Sequence, residues 1–427
     1  MTRMHNLPLL PGNAGRLVSP WLIYCLLATG IGLGGYWRTP LSFDETAYYV
    51  PAIRYFAERL PFPPISSYPF PGPPAGLILQ SFFWGSSEST ERLRFLSFTA
   101  AIFTGLIVCS RLRSYDNGLR GAAVFLMIMC YPFYLNSTFQ LKHHALALGL
   151  LLSGYIWWER YRGSQSTIHI VLAGVSLLLA TSTTQFGAPM ALLLLLDAIW
   201  NSRQRDHQFN VMRIVASLLP LFVLGAFVYA WGGAQPPLYR TSLLEAEVGS
   251  LRFRPGQLVA GLLSLGVWIF PVAHRSRQDL VRVGLLWLPS VLLVHLSGVF
   301  RPEYSFFNTV VGPVSSVLRG ISMSSYLLLV ALAGVLVALG ASLLLRVGNT
   351  SRPDSMFRTY TILYLLMLNF VPYYFESYLT YLIVPGYMAL APTLVEDGTV
   401  VRTRIAHLAV ALGGIAYTII KLAQNNA

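Results

Sequence analysis

Charge is scarce in this chain of 427 residues: Asp, Glu, Lys and Arg make up 11% of it, where a soluble domain carries about a quarter. With hydrophobic residues at 55%, so little charge excludes a water-soluble globule of this length. Lysine is nearly missing: Lys142 and Lys421 are the two present, which leaves 28 arginines among the 30 basic residues. Cysteine is equally sparse. Cys25, Cys109 and Cys130 lie inside apolar runs with no CxxC spacing, which excludes a disulfide scaffold or a zinc ribbon and marks them as packing residues. Alternating polar and apolar positions are absent too, and the continuous apolar runs select helices over a membrane barrel.

What remains is a polytopic all-α pattern, because only helices or closed barrels satisfy the backbone in lipid. Apolar runs fall near 19–37, 91–110, 119–136, 144–158, 168–184, 186–200, 211–231, 256–273, 281–300, 324–345, 359–375, 377–395 and 405–420. They predict about thirteen transmembrane helices in one integral membrane domain covering 1–427. The first run lacks a small-residue cleavage site and is long enough to span, so it reads as an anchor and not as a signal peptide. The stretch 73–85 is apolar but too short to span, and is expected to be a re-entrant or juxtamembrane helix.

A net charge of +13 in a soluble protein would suggest nucleic acid as a partner. Here the arginines gather at one set of helix ends, which explains the charge by the positive-inside rule and leaves no nucleic-acid partner. With a cytoplasmic N-terminus, Arg111, Arg113, Arg120, Arg160 and Arg162 all fall inside. The longer segments 38–90, 232–255 and 301–323 then fall on the outer face, where chemistry is expected.

The first of these segments is the richest. Leu41 to Val50 reads LSFDETAYYV and holds the adjacent acids Asp44 and Glu45 beside seven prolines between Pro61 and Pro74. Residues 44–60 suit an amphipathic helix lying in the interface, with aromatics at headgroup level. Asp44 would stand at or near its N-cap and Glu45 in its first turn, so plain capping explains both. The stiff loop alongside favours a preorganised site.

Glycosyl transfer from a polyprenyl phosphate needs a carboxylate to take a proton from the acceptor hydroxyl and cations to meet the departing phosphate. Asp44 and Glu45 provide the first. Lys142, His143 and His144, together with Arg240, Arg252, Arg254, Arg301 and Arg319, are the candidates for the second, with snorkelling the plain alternative for Lys142. Thr181 to Gln185 is a polar cluster that could meet sugar hydroxyls, though a polar hairpin explains it nearly as well. Glu376, in an outer aromatic turn, calls for an Arg partner. No metal site is assigned, because adjacent His143 and His144 point to different helix faces; the reaction class still leaves room for a divalent metal.

Several stretches resemble the GT-C superfamily of membrane glycosyltransferases, and within it the dolichyl-phosphate-glucose alpha-1,2-glucosyltransferases. Phe43-Asp44-Glu45 with Val50-Pro51-Ala52 resembles the family's acidic motif and following helix. Pro73-Pro74-Ala75-Gly76-Leu77 resembles its Pro-Gly-Leu element, Leu93-Arg94-Phe95 the opening of its next helix, and Trp231-Gly232-Gly233 its Asn-Gly-Gly. Tyr378 to Pro385 resembles a late Arg-Tyr-Phe…Leu-Pro element, and Arg301-Pro302-Glu303-Tyr304 keeps part of an Asn-Arg-His-Tyr. The chain departs at Ser182-Thr183-Thr184-Gln185, where the family has Arg-Gln-Thr-Asn.

The resemblance implies a hexosyltransferase with a polyprenyl-phosphate sugar donor, a glycan, lipid-linked or other acceptor, inversion, and Asp44 as base. Glu45 belongs to the same acidic motif. Lys142, His143, His144, Gln185, Arg240, Arg301, Glu303, Tyr304 and Glu376 are the expected substrate contacts. Length and the arginine bias favour a bacterial relative in the inner membrane, with the site extracytoplasmic; a eukaryotic chain would sit in the ER membrane. The rival class, a transporter or flippase, calls for ionisable residues near the bilayer midplane and matching broken helices in the two halves.

Overall fold

The computed structural model describes residues 14–42, 44–84, 90–116, 118–202, 207–233, 235–240, 253–269, 277–297, 323–345, 354–370, 378–397 and 401–426. All regular structure among them is helical. The helices are α1 (Ala14–Leu33), α2 (Val50–Ala57), α3 (Ala75–Ser81), α4 (Thr90–Leu112), α5 (Leu119–Met129), α6 (Pro132–Thr138), α7 (His144–Ser164), α8 (Thr167–Thr183), α9 (Ala188–Ser202), α10 (His207–Trp231) and α11 (Pro237–Arg240). They continue as α12 (Pro255–Ile269), α13 (Arg277–Ser297), α14 (Met323–Leu344), α15 (Asp354–Leu368), α16 (Leu379–Asp397) and α17 (Val401–Asn426).

Each apolar run read from the sequence lands on one of these helices or, for 119–136, on a pair of them. Among the described residues five helices are long and apolar enough to cross a membrane: Thr90–Leu112, Val211–Trp231, Leu280–Ser297, Leu327–Leu344 and Thr403–Ile420. The pair α5–α6 makes a sixth if counted as one broken span. The protein is therefore an all-α, multi-pass membrane protein. In the stretch 73–85 the described residues, 73–84, form the seven-residue α3, too short to span.

The chain divides into two compact units. One contains Met1–Glu245 and Ala411–Ala427, the other Ala246–Val410.

In the first unit α7 packs on α8 and α4, and α10 packs on α8 and α9. Apolar side chains lie as comfortably in lipid as in protein, so close fit must hold these helices together. Small residues supply it. A Cβ on Gly174 would stand 3.2 Å from Ala216 Cβ, and one on Gly154 only 2.7 Å from Leu177 Cγ. The Thr104 hydroxyl donates across the α4–α7 contact to the Ala145 carbonyl at 2.8 Å.

The 119–136 run corrects the expectation of one straight helix. It breaks at Cys130–Tyr131, and the two halves meet at 68°. Pro132 is the cause: it has no N–H and forces Tyr131 out of the helical region, to φ −55 and ψ 124. Gly414 of α17 packs on the Cys130 carbonyl at this bend, so close that no Cβ fits.

In the second unit α14 packs on α12 and α13, and α15 on α16. Gly266 and Gly340 let the α12 and α14 backbones touch, at Leu336 and Leu262 respectively. The Asn369 side chain accepts the Leu258 N–H at 3.1 Å, and its carbonyl accepts the Arg254 N–H at 2.8 Å, which caps the start of α12.

Gly414→Ala should cost about 1–3 kcal/mol through overpacking against Cys130. Gly225→Ala, where a Cβ would meet open space, should cost nothing. Thermal unfolding of the two variants in detergent checks the contrast; equal melting temperatures would contradict it.

Candidate functional site

The acidic segment begins at Ser42, whose carbonyl accepts the Thr46 N–H at 3.0 Å. The Glu45 carboxylate returns to the Ser42 N–H (2.8 Å), and the Ser42 hydroxyl accepts the Glu45 N–H (3.4 Å). This is a reciprocal Ser-x-x-Glu capping box. Ser42, and not Asp44, is thus the residue that caps; Asp44 makes no side-chain cap hydrogen bond.

From Glu45 to Tyr49 the backbone forms a π turn with i→i+5 hydrogen bonding, and α2 follows. The extra residue shifts the buried face. Tyr49, Ala52, Ile53 and Phe56 face the core, whereas the sequence pattern sets Tyr48, Val50 or Pro51, Tyr55, Phe56 and Arg59 on one side, of which Phe56 alone is fully buried. A π turn also brings residues five apart near one another, so Asp44 and Tyr49 both reach the same tripeptide, Lys142-His143-His144.

Glu45 is completely buried, at 1% exposure, and so is Arg94 from the second turn of α4. The guanidinium grips the carboxylate with both prongs, Nε to Oε1 at 3.0 Å and Nη2 to Oε2 at 2.9 Å. Its remaining N–H groups donate to the carbonyls of Trp37 (3.0 Å), Thr39 (2.7 Å) and Pro40 (3.3 Å). Gly35, at φ 119, ends α1 with the turn that aims these carbonyls at α4. The fourth partner of the carboxylate is the backbone N–H of Leu141, which donates to Oε1 at 2.8 Å.

That last bond brings in the other half of the site. Beyond the break at Pro132, α6 ends at Thr138 and a turn of 139–143 leads into α7. Lys142 Nζ stands 2.9 Å from Asp44 Oδ2, with side-chain exposures of 10% and 24%. Among the described residues Lys142 is the Asp44 carboxylate's sole ionic partner. Next along, His144 Nε2 lies 3.2 Å from the Tyr49 hydroxyl.

His143 is buried between the rings of Tyr49 and Phe70, at centroid distances of 5.5 and 5.6 Å. Its Nδ1 has no hydrogen-bond partner among the described residues. Burial pushes its imidazolium down to about 4, so the ring is neutral near pH 7. It is no cation for a phosphate, only a neutral hydrogen-bonding group.

The Pro-rich loop closes one side. Tyr68 donates to the Gly72 carbonyl at 2.5 Å, and Trp231 Nε1 donates to the Ile65 carbonyl at 3.0 Å. Gly76 at the start of α3 lies flat on His143 and Thr183: a Cβ there would come within 2.8 Å of both. Gln185 sits one loop away, where a Cβ on Gly72 would stand 3.1 Å from its Oε1.

Of the residues expected at a site, the fold thus gathers Asp44, Glu45, Lys142, His143 and His144, with Gln185 bordering the same loop. Arg240 ends α11, and its side chain lies outside the described residues, as do Arg301, Glu303, Tyr304 and Glu376. Arg94 was legible in the sequence only as part of the Leu93-Arg94-Phe95 resemblance. Its independent signal is a guanidinium placed early in an otherwise apolar span. No group of three His, Cys, Asp or Glu side chains is placed to ligate a metal among the described residues.

A second polar layer lies at the opposite end of the same helices. Arg111 pairs with Glu159 at 2.8 Å, and Glu159 accepts from the Tyr155 hydroxyl at 2.9 Å. Arg94 and Arg111 share α4 and are separated by about 25 Å along its axis, close to the roughly 30 Å of a bilayer's hydrocarbon core. The Asp44–Lys142 corner and this layer thus lie at opposite ends of α4.

No protein-family model matches the chain. No curated protein matches it either. Among solved structures, that of ArnT from Cupriavidus metallidurans bound to undecaprenyl phosphate aligns with a TM-score of 0.45 at 11% identity, over 90% of this chain and 78% of that one.

His143 makes folding sensitive to acid. Its folded pKa lies below the unfolded value of about 6.5, so the unfolded chain binds the extra proton. Its contribution to stability is full above about pH 6.5 and falls as pH drops toward about 4, by on the order of 3 kcal/mol. Melting temperature against pH should show a shallower acid loss in His143→Gln than in the wild type. Identical slopes would refute this.

Proposed function

We propose that the protein is a glycosyltransferase that moves a hexose from a polyprenyl-phosphate donor to an acceptor hydroxyl at the extracytoplasmic membrane surface, with Asp44 as general base. The observation that carries this reading is the Asp44–Lys142 pair: a partly exposed carboxylate 2.9 Å from an ammonium, at the end of a membrane-spanning bundle. Transfer needs both groups, one on each side of the anomeric carbon, so the direct contact between them must open as donor and acceptor enter. The carboxylate takes the acceptor proton as the hydroxyl oxygen attacks the anomeric carbon. The bond from that carbon to the phosphate oxygen breaks, its electron pair leaves on the phosphate, and the ammonium meets the new charge. A single displacement of this kind inverts the anomeric centre.

The lone lysine of the first 420 residues lies beside this acid and at the membrane surface, where a lipid phosphate resides. Gln185, partly exposed, borders the same corner and offers hydrogen bonds to sugar hydroxyls, while neutral His143 and Thr183 lie buried under Gly76. Arg240, Arg301, Glu303, Tyr304 and Glu376 complete the proposed substrate contacts. The acidic motif's likeness to the GT-C pattern points the same way. The transport alternative calls for broken helices in both halves of the chain, and the described residues contain one bent pair, α5–α6.

The deciding measurement is sugar transfer by the purified protein in nanodiscs, with a panel of polyprenyl-phosphate hexoses. Asp44→Asn should lower turnover about 100- to 10,000-fold, the range for loss of a general base, at unchanged melting temperature. Lys142→Gln should weaken donor use at least tenfold. An Asp44→Asn protein with full turnover would end the assignment.

A further inference from the structure

The corner holds two adjacent carboxylates, and only one is in a position to react. We infer that Glu45, held by Arg94, is a positioning residue: it fixes the spacing between Asp44 and Lys142 through the backbone of Leu141. This inference rests on the proposed roles of Asp44 and Lys142 and goes beyond them by assigning the buried pair next to them.

The four acceptor positions of a carboxylate are filled in Glu45. Oε1 accepts from Arg94 Nε and from the Leu141 N–H; Oε2 accepts from Arg94 Nη2 and from the Ser42 N–H. No lone pair is left for an acceptor hydroxyl, and 1% exposure leaves no path to one. Glu45 is therefore no base.

What it holds is informative. Glu45 is the chain neighbour of Asp44, and Leu141 is the chain neighbour of Lys142. One carboxylate thus pins both backbones within a residue of the two reacting groups, across 96 positions of sequence. Arg94 in turn ties that carboxylate to α4 and to the 37–40 turn. Base and cation have flexible side chains, so their spacing depends on where these backbones sit. A displacement of about 1 Å in such a pair can cost on the order of 100-fold in rate.

The experiment is a double-mutant cycle on phosphate binding, with the full-length protein in nanodiscs and a sugar-free polyprenyl monophosphate as probe. That probe contains the group common to all donors of the class, so the sugar need not be known. Lys142→Gln should weaken its binding at least tenfold. Glu45→Gln should weaken it by a similar factor, and the double variant should lose little beyond either single one, because both remove the same contact. Losses that multiply, or a Glu45→Gln protein that binds normally, would overturn the inference. Should Glu45→Gln fail to fold, Arg94→Lys takes its place: it keeps the charge, breaks the two-pronged grip and must couple to Lys142→Gln in the same way. If Lys142→Gln itself leaves binding intact, the phosphate role proposed above fails instead, which separates the two outcomes.

Discussion

The interaction on which this end of the molecule depends is the buried pair of Arg94 and Glu45. Taking two charges out of water costs several kcal/mol each, and only full hydrogen bonding offsets it. Here the offset is complete on both sides: four N–H groups reach the carboxylate and carbonyls receive the rest of the guanidinium. A well-packed apolar pair would be as stable or more so. What the ionic pair adds is direction, since a two-pronged grip admits one orientation. Four separate segments converge on it: the 37–40 turn, the capping box at Ser42, the second turn of α4 and the turn before α7.

The same demand for geometry recurs where there is no charge at all. In lipid, helices gain little by burying apolar surface against each other, so their association rests on fit. Gly266, Gly340 and Gly414 each meet a backbone carbonyl of a neighbouring segment at a distance no side chain allows. Gly76 plays that part at the site, where α3 can lie on His143 and Thr183 only because it presents a bare Cα. The break at Pro132 belongs with these contacts. It turns the chain so that 139–143 ends beside the acidic segment, and the Gly414 contact packs on the bend.

Much of this was legible in the sequence. The apolar runs mark the helices because the bilayer imposes a long, uniform demand on composition, and the Asp44-Glu45 pair stands out because charge is otherwise scarce. The bend at 130–131 had a signal in Pro132, overridden by the apolar composition around it. The π turn had none, because an i→i+5 pattern over five residues leaves no periodicity to detect. Nor could spacing reveal that residue 44 meets residue 142, or residue 45 residue 94. Those pairings come from tertiary packing, to which local periodicity is blind. For the same reason the sequence puts the cap at or near Asp44, whereas Ser-x-x-Glu starts two residues earlier, at Ser42, and the fold shows which side chain turns back.

Two neighbouring carboxylates would ordinarily repel each other and blur into one acidic patch. The fold separates them by giving each a different environment. Glu45 faces inward, takes the two-pronged guanidinium and disappears from solvent. Asp44, one residue earlier, faces outward at 24% exposure and meets a single flexible ammonium. The first arrangement suits a group that must not move, the second a group that must exchange partners when a substrate arrives. The capping box makes the division possible: by having Ser42 and Glu45 satisfy the segment's first N–H groups, it releases Asp44 from capping. A carboxylate released from capping, partly exposed and held by the flexible side chain of Lys142, is the part of the corner left open to a substrate.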